Sequence, residues 1–237
     1  MTRSVVAGLG FKHIAYAHPS VSGEVLHLYL DGDGQPWLRG RYIARDPTPK
    51  RSLALALAGL DTEADAVYLG RPCYLGLSAE PNCKEAMWTS ARYSEALVRS
   101  MATAAQRIIV ARGAKHVRLI GYSGGGSLAM LMLAYMDSVE AVITVAANLD
   151  TNAWTDYHHY LALSDSLNPI NSRFPQGIRY WHYAGSDDNN VPYQQLSAFV
   201  ARHGGESQVL AGFDHHCCWR EHWPDLLSTA LGLGSGD

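Results

Sequence analysis

The chain has 237 residues, of which 47% are hydrophobic and 17% charged, with a formal net charge of −3 and a pI near 6.4. That length and apolar content suit one domain with a sizeable core. No basic block or aromatic–basic ribbon occurs, so the footprint of nucleic-acid binding is missing, and no apolar run reaches the roughly 18 residues that would cross a bilayer.

The N-terminal stretch is ambiguous. Arg3 followed by the apolar run 5–11, with Ala15-Tyr16-Ala17 beyond it, has the outline of a signal peptide. Lys12 and His13 interrupt the run, which is too short for a good hydrophobic segment. We read a first strand at 11–18 and no targeting segment. The chain as written is then expected to be cytoplasmic, or exported if a leader was trimmed away.

From there, β-rich apolar runs alternate with helical ones. Strands are predicted at 25–31, 66–71, 117–122, 141–147, 178–184 and 206–211, and helices at 52–59, 90–112, 124–136, 192–203 and 220–231. In the second helix Tyr93, Leu97, Met101, Ala104 and Ile108 share one stripe. Leu53, Leu55 and Leu57 alternate as a strand would, but the Leu/Ala composition there prefers helix. Strands alternating with helices predict a mostly parallel central sheet flanked by helices. The segment 148–177 is long for a connection and rich in aromatics, and reads as a small cap.

Four cysteines allow three pairings. Cys73 and Cys83 flank a short loop and would bridge in an oxidising compartment but stay thiols in the cytosol. Adjacent Cys217 and Cys218 could be buried thiols beside His215, a vicinal disulfide, or partners for the other two.

The most informative stretch is VRLIGYSGGGSLAMLML at 117–133. It reads strand, then Gly121-Tyr122-Ser123-Gly124-Gly125, then helix. This is G-x-S-x-G in the context of a nucleophile elbow, a sharp turn that exposes a serine hydroxyl at the tip of a strand. Glycines at the flanks remove side chains that would clash across such a bend. The helix N-terminus beyond favours developing negative charge.

A serine nucleophile needs a base, and the base needs an orienting carboxylate, here in the order Ser, acid, His. Asp188 lies after the 178–184 strand in Gly185-Ser186-Asp187-Asp188-Asn189-Asn190-Val191-Pro192. That cluster also suits a turn, with Asn190 capping the next helix. Asp187 is the register alternative and Asp150 a second one. His215 lies after the 206–211 strand, with His216 as its neighbour; most of the 11 histidines must be structural or solvated. The oxyanion donors are expected to be the N–H groups of Gly124 and, from the Asp31-Gly32-Asp33-Gly34 loop, Asp33. Trp154, Tyr157 and Tyr160 in the cap are expected to shape the substrate pocket, with Trp37 and Trp88 as weaker contributors.

These motifs resemble the α/β-hydrolase fold superfamily. The chain is similar to a bacterial group that carries an acidic-Gly-Asp-Gly loop followed by Trp (31–34 and Trp37), then Asp-Pro-Thr-Pro (46–49). Arg-Pro-Cys (71–73), Trp-Thr-Ser-Ala-Arg (88–92), Asn-Leu-Asp (148–150) with Trp154, and His-x-Cys-Cys-Trp (215–219) continue the pattern. The resemblance implies a single-domain α/β-hydrolase fold and a Ser123–Asp188–His215 triad.

The expected activity is hydrolysis of a small-molecule carboxylic ester, without cofactor. Acyl transfer, thioester hydrolysis, or a non-catalytic binding protein of the same fold are the alternatives. A metal site at Asp214–Cys218 or His158-His159 is disfavoured, because consecutive side chains splay apart and no chelating spacing occurs. The oligomeric state is left open.

Overall fold

The central strands of this protein are buried on both faces, which is why their sequences read as nearly continuous apolar runs. A computed structural model describes residues 1–19 and 23–233. In chain order the strands are β1 (Thr2–Ala7), β2 (Lys12–Ala17), β3 (Val25–Leu30), β4 (Trp37–Leu38), β5 (Tyr42–Ile43), β6 (Asp65–Leu69), β7 (His116–Tyr122), β8 (Val139–Val145), β9 (Arg179–Gly185) and β10 (Glu206–Leu210). Eight of them form one sheet in the order β1-β2-β6-β3-β7-β8-β9-β10, while β4 and β5 make a separate two-stranded ribbon. The run from β6 to β10 in that order is parallel, and β1 and β2 close one edge as an antiparallel hairpin.

The helices are α1 (Leu53–Ala58), α2 (Glu95–Arg112), α3 (Gly124–Met132), α4 (Thr151–His158), α5 (Tyr193–His203) and α6 (Trp219–Leu231). Side-chain alternation sends Leu26, Leu28 and Leu30 of β3 into a core with α2 and α3, to which α5 adds Leu196 and Phe199. Tyr29 points the other way, into a core with Leu57 of α1 and Trp219 and Trp223 of α6. Two apolar layers therefore cover one sheet, the two-sided arrangement expected of alternating strands and helices. No helix among the described residues is long and apolar enough to cross a membrane.

Some elements differ from the sequence reading and one ambiguous element is decided in favour of it, each for a local reason. Residues 2–7, which open the stretch with the outline of a signal peptide and lie outside the predicted strands, form an edge strand. Its residues are mostly exposed and, among the described residues, it pairs with β2 only. The ambiguous 52–59 segment is helical, with Ser52 Oγ accepting the Leu55 N–H as an N-cap at 3.0 Å. The helix expected from residue 90 starts at Glu95, so Tyr93 precedes it and does not belong to its stripe. Residues 148–177 hold α4 and a single 3₁₀ turn at Pro169–Asn171.

Cys73 and Cys83 are bridged, and with Tyr74 and Trp88 they form a small third core. Trp88 is buried there with its N–H donating to Ala44 O at 3.1 Å, so it is a packing residue and not a pocket wall. Cys217 and Cys218 form a vicinal disulfide in the turn closed by Asp214 N–H to Cys217 O at 3.1 Å. Of the arrangements left open for this pair the vicinal disulfide is the one found, and Cys217 is exposed, so buried thiols beside His215 are not.

Candidate active site

Ser123 sits between the last residue of β7 and the first of α3 with φ 51° and ψ −124°. A positive φ is unfavourable for a non-glycine residue, and such strain is tolerated where neighbours over-determine it. They do so here. Ser123 N–H donates to Val145 O at the end of β8 at 2.9 Å, while Ser123 O accepts from Gly126 N–H at 3.0 Å and Asn148 N–H at 3.3 Å. A Cβ on Gly125 would lie 2.2 Å from Leu30 O, and one on Gly121 would lie 2.5 Å from Gly125 O. Only glycine at these two positions lets α3 start so close to the ends of β3 and β7.

The loops after β9 and β10 bring two more side chains to this serine. His215 Nε2 lies 3.0 Å from Ser123 Oγ, and His215 Nδ1 lies 2.8 Å from Asp188 Oδ2. With a carboxylate as its partner among the described residues, Nδ1 carries the proton and donates it, which leaves Nε2 free to accept from the serine hydroxyl. Asp188 Oδ1 accepts the N–H groups of Asn190 and Val191, both at 2.8 Å. Asp188 and His215 are buried, whereas Ser123 keeps some exposure. Tyr122 supports the histidine's backbone, donating its hydroxyl to His215 O at 2.9 Å.

The alternatives face elsewhere. Asp187 is exposed and accepts from the Ser186 hydroxyl at 2.6 Å. Asp150 caps α4, accepting the N–H groups of Asn152 and Ala153 at 3.1 and 3.2 Å. His216 pairs its Nδ1 with the Tyr122 hydroxyl at 3.0 Å. Asp214 accepts the N–H groups of His216 and Cys217 at 2.7 and 2.6 Å, and these bonds hold its carboxyl below the usual range. Among the described residues, no group of three or more His, Cys, Asp or Glu side chains is arranged to hold a metal ion.

On the other side of Ser123 lies the loop after β3. A Cβ on Gly32 would be 3.1 Å from Ser123 Cβ, so the loop backbone passes directly against the serine. The N–H of Asp33 has no protein acceptor among the described residues. Gly124, as the first residue of α3, has a helix N-terminal N–H with no intrahelical partner.

The Asp33 side chain enters a largely buried cluster that the sequence reading missed. Arg71 Nη2 lies 2.8 Å from Oδ1 and Arg92 Nη1 2.9 Å from Oδ2. The Tyr93 hydroxyl donates to the same carboxylate, at 2.7 and 2.8 Å from its two oxygens. Burial opposes ionisation of Asp33, but Arg71 and Arg92 outweigh it and hold the carboxyl below its ordinary range. Burial pushes the Tyr74 phenol up to about 12, so it stays a donor, and it gives its proton to Asp33 O at 2.9 Å. Arg71 and Arg92 both stand inside the quoted sequence strings at 71–73 and 88–92, but nothing local says that they meet.

The cap residues border this ground from above. Trp154 Nε1 donates to Asn190 O at 3.0 Å, and the Arg92 guanidinium lies 5.9 Å from the Trp154 ring centre. Trp154 therefore spans from the Asp188 loop to the Asp33 cluster. Tyr160 packs 5.4 Å from Trp154, and Tyr157 4.8 Å from His158, both tyrosines being exposed. Trp37 stands half-exposed on the β4–β5 ribbon.

No family model and no curated protein matches the sequence. Solved structures do match. A protein of unknown function from Agrobacterium tumefaciens, described as a candidate alpha/beta hydrolase, superposes with a TM-score of 0.65 at 13% identity over 98% of each chain. The esterase RhEst1 from a Rhodococcus species gives 0.61 at 13% identity, again over 98% of each chain. A lidless serine hydrolase of the same class from Xanthomonas campestris gives 0.62 at 9% identity, over 100% of this chain and 98% of its own. At these identities the likeness speaks for architecture, and with the sheet order above it establishes that this chain has the α/β-hydrolase fold.

Proposed function

We propose that the protein is a serine hydrolase that cleaves carboxylic esters through an acyl-enzyme on Ser123. The observation that carries this reading is the continuous chain Ser123 Oγ–His215–Asp188, with contacts of 3.0 and 2.8 Å.

The chemistry follows from the proton positions. Ser123 Oγ attacks the ester carbonyl as its proton passes to His215 Nε2. The imidazolium that forms is stabilised by the buried Asp188 carboxylate, which is itself fixed by two backbone N–H groups. Charge on the carbonyl oxygen is taken up by the N–H groups of Gly124 and Asp33. His215 then protonates the departing alcohol, and water enters by the reverse sequence to release the acid. None of these steps calls for a cofactor. Trp154, with Tyr160 packed against it, offers an aromatic wall next to the Asp188 loop for the acyl or alcohol group, with Tyr157 and Trp37 as further contacts. The solved hydrolases and esterases of the same fold support the hydrolase class.

The test is covalent labelling with a fluorophosphonate probe, read by intact mass and peptide mapping, beside Ser123→Ala. The expected result is one adduct on Ser123 of the wild type and none on the variant, followed by turnover in a panel of p-nitrophenyl esters. A folded wild type that takes no label and cleaves no ester would overturn the proposal.

A further inference from the structure

Asp33 poses an electrostatic problem for the reaction just described. A Cβ on Gly124 would fall 2.1 Å from Asp33 Oδ1 and 2.4 Å from the Tyr93 hydroxyl, so the carboxylate is packed against the first residue of α3. Both proposed oxyanion donors, the N–H groups of Gly124 and of Asp33 itself, therefore lie beside a negative charge. A lone carboxylate there would oppose a second negative charge on the substrate oxygen.

The two guanidiniums reverse that sign. Arg71 and Arg92 are buried, are always charged, and contact different oxygens of one carboxylate. One anion against two cations leaves the cluster with a formal charge of +1, in a site where water screens it poorly. The same contacts fix the Asp33 peptide at both ends, since its side chain is gripped by Arg71, Arg92 and Tyr93 and its carbonyl by Tyr74. We infer that Arg71 and Arg92 are positioning residues of the oxyanion hole, which orient the Asp33 N–H and set a net positive charge beside the oxygen that becomes negative. The inference rests on Ser123 being the nucleophile.

Arg92 is the residue to test, because Arg71 is more deeply enclosed and its loss endangers the fold. Arg92→Gln removes the charge and keeps a polar donor; Arg92→Lys keeps the charge and loses the Nε bond to Thr89 O. Both are compared with wild type for kcat and KM on a p-nitrophenyl ester, and for affinity toward a trifluoromethyl ketone. The serine adds to that ketone to give a tetrahedral oxyanion, and KM stands for ground-state binding when acylation limits turnover, which the absence of a p-nitrophenolate burst establishes. Arg92→Gln is expected to lose about 10- to 100-fold in kcat and in ketone affinity with little change in KM, and Arg92→Lys to stay within about fivefold of wild type. Equal losses in the two variants would mark a structural brace and overturn the inference, as would a loss confined to KM or a kcat for Arg92→Gln within about threefold of wild type. Those outcomes in a wild type that labels at Ser123 refute the inference alone. A wild type that neither labels nor turns over refutes the serine-hydrolase reading and the inference with it.

Discussion

Asp188 and His215 are joined by one carboxylate oxygen only: Oδ2 meets His215 Nδ1 at 2.8 Å, while Oδ1 is fully used by the N–H groups of Asn190 and Val191. That division of labour decides what an amide would do there. In Asp188→Asn the side-chain oxygen must stay with the two backbone donors, since an NH₂ group would clash with them. The NH₂ then faces His215 and donates to Nδ1. His215 is left carrying its proton on Nε2, where it cannot accept from Ser123. The expected loss in kcat is up to about 10⁴-fold with the thermal midpoint nearly unchanged, and steady-state kinetics beside a melting curve checks it. Near-normal kcat would move the acid to another residue.

Two glycines separate chemistry from folding. At Gly32 a Cβ would sit 3.1 Å from Ser123 Cβ and 3.5 Å from Ser123 Oγ. Gly32→Ala therefore crowds the proposed nucleophile without meeting rigid backbone, and should cost about tenfold or more in kcat/KM while the melting temperature holds. At Gly125 a Cβ would meet Leu30 O at 2.2 Å, and neither strand nor helix can yield. Gly125→Ala should destabilise by at least about 1–3 kcal/mol, visible in a denaturant titration. An active Gly32→Ala or a fully stable Gly125→Ala would contradict the close approach of these backbones.

Acid should weaken the fold through two interior histidines before it reaches the carboxylates. His13 bonds Gly70 O at 3.0 Å and Ser100 Oγ at 2.8 Å, His182 bonds Thr144 Oγ1 at 2.8 Å, and burial lowers both to about 4. Unfolded histidine titrates near 6.5, so between about 6.5 and 4 the unfolded chain binds protons that the folded one refuses. Stability is therefore fully present above about pH 6.5 and is lost as pH falls toward 4, with a slope of up to about 3 kcal/mol per pH unit for two protons. Urea unfolding at pH 7, 6 and 5 measures that slope, and His182→Gln should halve it. A flat profile from pH 7 to 5 would show that these two side chains are protonated without penalty.

How much of this was legible in the sequence depends on the range of the interaction. Ser123, Asp188 and His215 are legible as candidates because each follows a β-rich run, and a parallel sheet delivers such loops to one edge. The Asp33 cluster was not legible. Its members come from the loops after β3 and β6 and from the approach to α2, and only long-range burial joins them. Tyr93 shows the problem in one residue, since its position suits the α2 stripe although its hydroxyl belongs to Asp33. Trp88 erred the other way, because an aromatic in a motif suggested a pocket and the Cys73–Cys83 bridge had built a private core around it. Strand β1 was hidden because an exposed edge strand leaves little apolar alternation to read.

The two disulfides should differ in what they contribute to stability. Cys73–Cys83 closes a loop across a sequence separation of 10, whereas Cys217–Cys218 joins neighbours. Chain-entropy reasoning assigns the first about 3 kcal/mol and the second almost nothing, since adjacent residues close no loop. Cys83→Ser should lower the melting temperature by roughly 6–12 °C in a chain of this size, and Cys218→Ser by far less. Cys83→Ser is the cleaner substitution, because Cys73 is fully buried next to Tyr74, whose hydroxyl holds Asp33 O. Its kinetic effect should be smaller than its thermal one, because Arg71 and Arg92 still grip the Asp33 carboxylate when the loop beyond them loosens. Scanning calorimetry of the two variants reads the difference directly, and equal midpoints would mean that the longer loop is already restrained in the unfolded chain.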